Sequence, residues 1–341
     1  MTGIHCLSGA AVSAWSQLKN KRVLITGGLG FIGSNLACRL VALGAEVTVV
    51  DSLTPGCGGN LWNVRACKKG LRIEVADIRD SAVVAELVQR KDYLFNLAGQ
   101  TSHVGSMNDP FIDLDVNARA QLVILEACRR ASPGIKVVYA SSRQLYGVPA
   151  YFPVDERHPV SPVDVNGINK FAGEQFHVLY SKVYGIRSVI FRLTNTYGPH
   201  MRVKDGRQTF LGIWIRRVLS GDPIEVFGSG EQLRDFCYVD DVVDALLLAA
   251  VDERSDGGVF NLGDAVPVAL KDVASMLVEL NGSGRWQLAD FPADRKVIDI
   301  GDYFAGVDKA RKELGWAPKT ALREGLARTL EFYREHCRHY W

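Results

Sequence analysis

Lys21–Gly33, KRVLITGGLGFIG, decides the fold. Val23–Thr26 is a short apolar run of the kind that forms a strand covered on both faces in a parallel sheet. It leads into Gly27-x-x-Gly30-x-x-Gly33, and Phe31 to Leu43 then follows a helical period. Gly27 permits the tight strand-to-helix turn, Gly30 lets a pyrophosphate approach the backbone, and Gly33 lets the helix pack closely on the sheet. The first helical residues, Phe31 and Ile32 among them, turn the positive end of the helix toward the phosphates. A second strand, Glu46–Val50, ends in Asp51, near the ~20-residue spacing at which a carboxylate meets a ribose 2′-hydroxyl. Strand, glycines, helix, strand and acid in this order predict a dinucleotide site. Asp51 repels a 2′-phosphate, so NAD is expected over NADP.

The 341 residues are 47% hydrophobic and 23% charged, enough for one large or two intimate domains with a sizeable core. A net charge of +2 gives no electrostatic case for nucleic acid or an anionic membrane as partner. The seven cysteines are scattered with no CxxC pair, so neither zinc, nor any other metal, nor a disulfide framework is expected. Reduced thiols and a cytoplasmic location fit that usage. Residues 1–20 form an N-terminal extension without the basic start and apolar core of a signal peptide, and residues 11–18 read as a short helix. No stretch approaches transmembrane length.

Further strands are expected at Leu71–Val75, Tyr93–Leu97, Lys136–Ala140 and Ser188–Leu193, with long amphipathic helices over Pro110–Ala131 and Val165–Tyr184. Alternating strands and helices predict an α/β fold, a Rossmann-like doubly wound parallel sheet with ligands outside the carboxyl ends of the strands. Gly27–Gly33, Leu97-Ala98-Gly99, Ser141-Ser142 and Thr194-Asn195 all fall at such ends. Asp77 and Ile78 follow the third strand, where they can hold an adenine; Asp77 or Asp80 can also cap the next helix. Past Tyr197 the rhythm weakens into loops rich in Gly, Pro and Arg. The expected organisation is a dinucleotide-binding domain of residues 21–196 plus about 236–262, and a smaller, partly discontinuous substrate-binding domain of 197–235 plus 263–341.

GGLGFIGSNL, VDSL, ADIRD, NLAGQ, YASSRQLYG, NKFAGE, FRLTNTYGP, GEQLRDFCYVDD and LGWAPKT, in this order, resemble the extended short-chain dehydrogenase/reductase family. Its members are NAD-dependent nucleotide-sugar epimerases, dehydratases and decarboxylases. AGQTSHVGSMNDP followed by FIDLDVN is most similar to epimerase-like members. The resemblance implies tightly held NAD, a hydride taken from a sugar carbon and returned, a keto-sugar intermediate, and a Tyr base four residues before a Lys on one helix face. Here Lys170 stands in place and the Tyr position is Asn166. An amide can bond a hydroxyl but cannot accept its proton near neutrality.

His103, in the loop after the fourth strand, is the leading substitute base, because imidazole titrates near neutral pH. His200 and Tyr146 are weaker candidates. The resemblance gives Ser142 the bond to the reacting sugar oxygen, Lys170 the nicotinamide ribose, and Asn117 a place near the site. It gives Asn195 and Arg234 the diphosphate of a nucleotide-sugar substrate, with Arg202, Arg207, Gln208 and Arg295 as further phosphate or base contacts. For Arg234 the structural alternative is a salt bridge to a neighbour such as Asp235. Arg143 and Gln144 occupy the place of the Asp-Glu pair of sugar dehydratases. They cannot eliminate water, and Arg143 can pair with a sugar carboxylate. In relatives the two long helices pair with their copies, which implies a homodimer. The leading expectation is a nucleotide-sugar epimerase with a non-standard base. The alternatives are a non-catalytic binding relative, and a decarboxylase or dehydratase.

Overall fold

The computed structural model describes residues 15–206 and 209–341. Gln208 and Arg207, expected at the substrate, lie outside the described residues, as does half of the helix expected over 11–18. Of that helix, Ser16–Leu18 forms one 3-10 turn with Leu18 buried.

Seven strands form the central sheet: β1 Arg22–Thr26, β2 Glu46–Asp51, β3 Leu71–Val75, β4 Tyr93–Asn96, β5 Lys136–Ser142, β6 Arg187–Leu193 and β7 Val259–Leu262. Their order is β7-β6-β5-β4-β1-β2-β3, and each neighbouring pair is parallel. The order reverses between β1 and β4, the place where an open α/β sheet makes a crevice for ligands. Strand side chains alternate between two cores. Val23, Ile25 and Val138 join Leu36 and Leu40 of helix α1 (Phe31–Ala42) in one, together with residues of Val239–Val251. Leu24, Leu94 and Val137 face the other, with Val84, Ile124 and Leu125. Period-2 alternation in runs that are apolar at both phases produces this three-layer packing. A third core gathers Tyr197, Trp214, Phe236, Leu270, Leu330 and Tyr333 under the cleft-bearing C-terminal part.

Two expectations are corrected. The helix expected over Pro110–Ala131 is divided into Pro110–Leu114, a π turn at Asp115–Arg119, and α2 (Ala120–Ala131). The π turn lets Asn117 reach the Gln100 carbonyl, at 2.9 Å, and Gln121 bond the carbonyl of Val116. Such turns commonly mark functional positions. Cys38 and Cys67, expected as free thiols, are bonded to each other. Cys38 lies on α1 and Cys67 in the turn before β3, with Cα atoms 5.3 Å apart, a proximity created by tertiary packing that no local spacing encodes.

The long helix α3 (Val165–Tyr184) is tied to the sheet by buried charge. Glu174 pairs with Arg192 of β6 and accepts from Ser141 Oγ at 3.0 Å, while Arg192 also donates to Tyr146 Oη. Tyr146 donates in turn to Asn261, so it serves as a structural strut. Removing one partner of a buried pair strands the other charge. Glu174→Ala is therefore expected to lower the unfolding free energy by about 3–5 kcal/mol, read from the shift of a denaturant midpoint; a loss under ~1 kcal/mol would contradict the buried pairing.

Candidate active site

The dinucleotide site is built from the carboxyl ends of β1, β2 and β4. Gly27 has φ +66, and a Cβ on Gly33 would collide with the Gly27 carbonyl. Gly30 is the N-cap of helix α1 and no side chain caps its first turn, leaving N–H groups of Phe31, Ile32 and Gly33 for an anion. Asp51 ends β2, its oxygens accepting from Leu29 N at 3.2 Å and Leu53 N at 3.0 Å. Burial pushes its carboxyl up while these two bonds pull it down. A carboxylate offers about four lone-pair sites, so it retains capacity for ribose hydroxyls. Thr26 Oγ1 accepts from Leu97 N and Ala98 N, fixing the turn after β4. A Cβ on Gly99 would sit 2.7 Å from Lys170 Nζ and 2.9 Å from Asn117 Oδ1, a buried acceptor with no partner among the described residues. The residues therefore fit NAD. Ile78 is buried; Asp77 is clamped by Arg79, and it is Asp80 that caps the next helix, accepting from Ala82 N and Val83 N.

At the reacting end, Ser142 Oγ closes β5 and accepts from Gln144 N at 3.1 Å. Lys170 Nζ donates to the Ala140 carbonyl at 3.2 Å. Its burial pulls the ammonium down to about 8, opposed by nearby Asp113. Asn166 occupies its position as part of a connected network. Its Nδ2 donates to the Gln100 carbonyl at 2.8 Å and to Asp113 Oδ2 at 2.9 Å, and Asn169 Nδ2 donates to Asp113 Oδ1 at 2.9 Å. Asp113 is fully buried, so these two amides supply the bonds its oxygens lost with water.

His103 starts the helix His103–Asn108, which Ser102 caps. Ser106 Oγ donates to the His103 carbonyl and accepts from Asn166 N, tying this short helix to the first turn of α3. The imidazole Nδ1 lies 2.9 Å from Asp164 Oδ2, close but bent away from a straight hydrogen bond. Asp164 is the N-cap of α3, its side chain wholly buried. It accepts from Gly167 N at 2.6 Å and Gln144 Nε2 at 2.9 Å. Burial pushes its carboxyl up, and the bonds from His103, Gly167 and Gln144 outweigh that and hold it below its ordinary value. A carboxylate at Nδ1 favours the tautomer with the proton there, which leaves the Nε2 lone pair for a substrate proton. Bent contacts of this kind commonly straighten when substrate binds. Asp164 and Asp113 were missed in the sequence; Asp164 three residues before Gly167 carries an N-cap signal, whereas Asp113 carries none.

A cleft of about 760 Å³ adjoins these groups, lined by Gln100, His103, Arg143, Gln144, Arg202, Arg234 and Arg295 with other residues. Arg143 Nη2 donates to Asn195 Oδ1 at 3.3 Å, and Asn195 donates to the Asp235 carbonyl at 2.9 Å. Arg234 is buried and sits 3.5 Å from Asp299, so its ion pair is with Asp299. Burial, with repulsion from Arg143, pulls Arg234 down to about 10. Arg202 is clamped by Asp205, and Arg295 lies over the Phe227 ring. His200 is not drawn into this group. Its Nδ1 meets Ser34 Oγ at 2.9 Å, its ring packs on Phe332, and burial pulls it down to about 3.

Fold and site define an NAD-binding α/β protein with a cleft lined by four arginines. Residues 23–263 match the model of the NAD dependent epimerase/dehydratase family, and the chain belongs to that family. It is 33% identical over 319 residues to a putative UDP-glucose 4-epimerase of Methanocaldococcus jannaschii, covering 93% of this chain and 99% of that one. It is 31% identical to UDP-glucuronic acid decarboxylase 1 of Xenopus tropicalis, over 95% of this chain and 75% of the relative. The UDP-glucose 4-epimerase of Thermotoga maritima, solved with UDP-glucose, superposes with a TM-score of 0.83 at 30% identity, over 93% of this chain and 99% of that one. Among the described residues no group of side chains could hold a metal ion, and no helix is long and apolar enough to cross a membrane.

Asn166→Leu keeps the approximate side-chain volume but removes the amide from Asp113 and the Gln100 carbonyl. It is expected to destabilise the protein by ~1–3 kcal/mol, measured by chemical denaturation. An unchanged midpoint would remove Asn166 from the network that holds Asp113.

Proposed function

We propose that this chain is an NAD-dependent epimerase of nucleotide-diphosphate sugars in which His103, oriented by Asp164, exchanges the proton of the reacting hydroxyl. The observation that carries the proposal is the cleft-facing imidazole set on a buried carboxylate, directly before the helix that lacks the usual Tyr. Bound NAD supplies the hydride acceptor. Ser142 Oγ bonds the reacting oxygen, and Lys170 holds the nicotinamide ribose and adds positive charge where an alkoxide forms. Asn195, Arg234 and Arg295 hold the diphosphate, to which guanidinium bonds are strong and directional. Gln144 is committed to Asp164 and is not an acid, which disfavours dehydration and decarboxylation. Asn166 itself favours a second reading, an NAD- and nucleotide-sugar-binding protein without turnover.

His103→Ala is expected to lower kcat by about 10²–10⁴ while KM moves only a few-fold. Steady-state kinetics with the turned-over sugar reads both. Unchanged kcat would take His103 out of the mechanism.

We also propose a homodimer through the faces of α3 and the segment before α2. Phe111, Leu114, Ile168, Leu179 and Val183 are exposed there, although Leu122, Leu125, Phe171 and Phe176 pack inward. Sedimentation is expected to give twice the 37.5 kDa chain mass, falling to one chain in Phe111→Glu/Leu179→Glu. A monomeric wild type contradicts it.

A further inference from the structure

Four arginines line the cleft, and two of them, Arg202 and Arg234, face acids. Arg202 is neutralised by Asp205. Arg234 donates to the carbonyls of Leu233 and Gly301 and faces Asp299. Arg295 stands at the far end, over Phe227 and beside Gly206. Arg143 differs. It makes no ion pair among the described residues, and its one hydrogen bond, to Asn195, is long at 3.3 Å. Its Nη1 is buried without a partner. Asp235, one of the acids whose charge acts on it, is itself buried; one oxygen accepts from Ala305 N at 3.2 Å, and neither makes an ion pair with Arg143. A guanidinium with unspent donors in a low-dielectric wall is costly unless an anion arrives to take them.

The side chain is held ready for that anion. Its guanidinium lies 4.9 Å from the centre of the fully buried Tyr303 ring, which fixes its plane. Its position selects which part of a ligand it meets. Arg143 directly follows Ser142, so their Cα atoms are ~3.8 Å apart. Gln144, next along the turn, bonds Asp164, the partner of His103. Arg143 therefore stands next in the chain to the group assigned to the reacting sugar, whereas Arg234 and Arg295 come from the C-terminal part of the chain. A planar fork whose Nη1 is unpartnered and whose Nη2 is held only by the long bond to Asn195 matches a carboxylate in a way a lone ammonium does not.

We propose that Arg143 recognises a carboxylate on the sugar, so that the preferred substrate is a nucleotide-diphosphate sugar acid. This rests on the nucleotide-sugar reading above and narrows it. The diphosphate then stays with Asn195, Arg234 and Arg295, and the third anionic group of the ligand closes the unpaired guanidinium.

Calorimetric titration of the NAD-loaded protein with UDP, UDP-glucose and UDP-glucuronate separates the possibilities. Wild type is expected to bind UDP-glucuronate at least about 10-fold more tightly than UDP-glucose, the discrimination that one charge-assisted bidentate pair supplies. In Arg143→Leu the ratio is expected to collapse to about 1, and in Arg143→Lys, which keeps the charge and loses the fork, to fall between. Circular dichroism melts confirm that both variants are folded, and Arg143→Lys carries the test if Arg143→Leu is not. Equal weakening of all three ligands would assign Arg143 to the β-phosphate and overturn the proposal, as would a wild type without preference. Failure of wild type to bind any of the three would instead contradict the nucleotide-sugar reading itself.

Discussion

The Asp164 carboxylate is the fixed point of the site. It is wholly buried, yet it accepts from the first-turn amide of Gly167 and from Gln144, and the His103 imidazole Nδ1 lies 2.9 Å from it. One anion therefore caps α3, sets the turn after β5, and orients the imidazole at the cleft. Charge at a helix N-terminus is favourable through both the cap bond and the helix dipole. Because α3 starts where Asp164 stops it, Asn166, Asn169 and Lys170 are delivered at defined positions on one helix face. The carboxyl is held below its ordinary value, so the stability it lends is complete above the ordinary carboxylate range. That stability is lost as pH falls through the lowered value, where protonation would free the cap.

Asn166 is best understood from what surrounds it. A Tyr at this place leaves Asp113 with one amide donor where it now has two, and frees the Gln100 carbonyl of one of its two donors. The buried carboxylate and the two asparagines form a consistent set, each satisfying another. The loss of the phenol is thus accompanied by local polar complementarity rather than by a hole. In the proposed function, proton transfer falls to His103. The His103 helix is bonded to the same turn of α3 through Ser106, so His103 and Asn166 are tied together.

The sheet was legible because its signals are local. Val23–Thr26, the three glycines and Asp51 lie within one βαβ unit, and each has a physical role that does not depend on distant contacts. Strand ends could be aligned from the sequence for the same reason, which brought Ser142, Lys170, Asn195 and the glycines to one edge. What escaped was long-range. The Cys38–Cys67 bond needs the chain to fold back from α1 to the turn before β3. Asp113 gives no sign of burial when read beside Phe111 and Ile112, because its partners are more than fifty residues on. The π turn at Asp115–Arg119 interrupts a pattern that is helical on both sides, so its apolar period alone concealed it. His200 follows Gly198-Pro199 near the glycine helix, and its neighbours Ser34 and Phe332 are supplied by segments far apart in the chain.

The most direct measurement is proton NMR of the purified protein incubated with NAD and a panel of UDP-, CDP-, GDP- and dTDP-linked sugars and sugar acids. The account predicts that at least one compound yields an isomer of equal mass, inverted at a single carbon, with no NADH accumulating and no CO₂ released. Binding of panel members without any new isomer, or a product lacking water or CO₂, would contradict it.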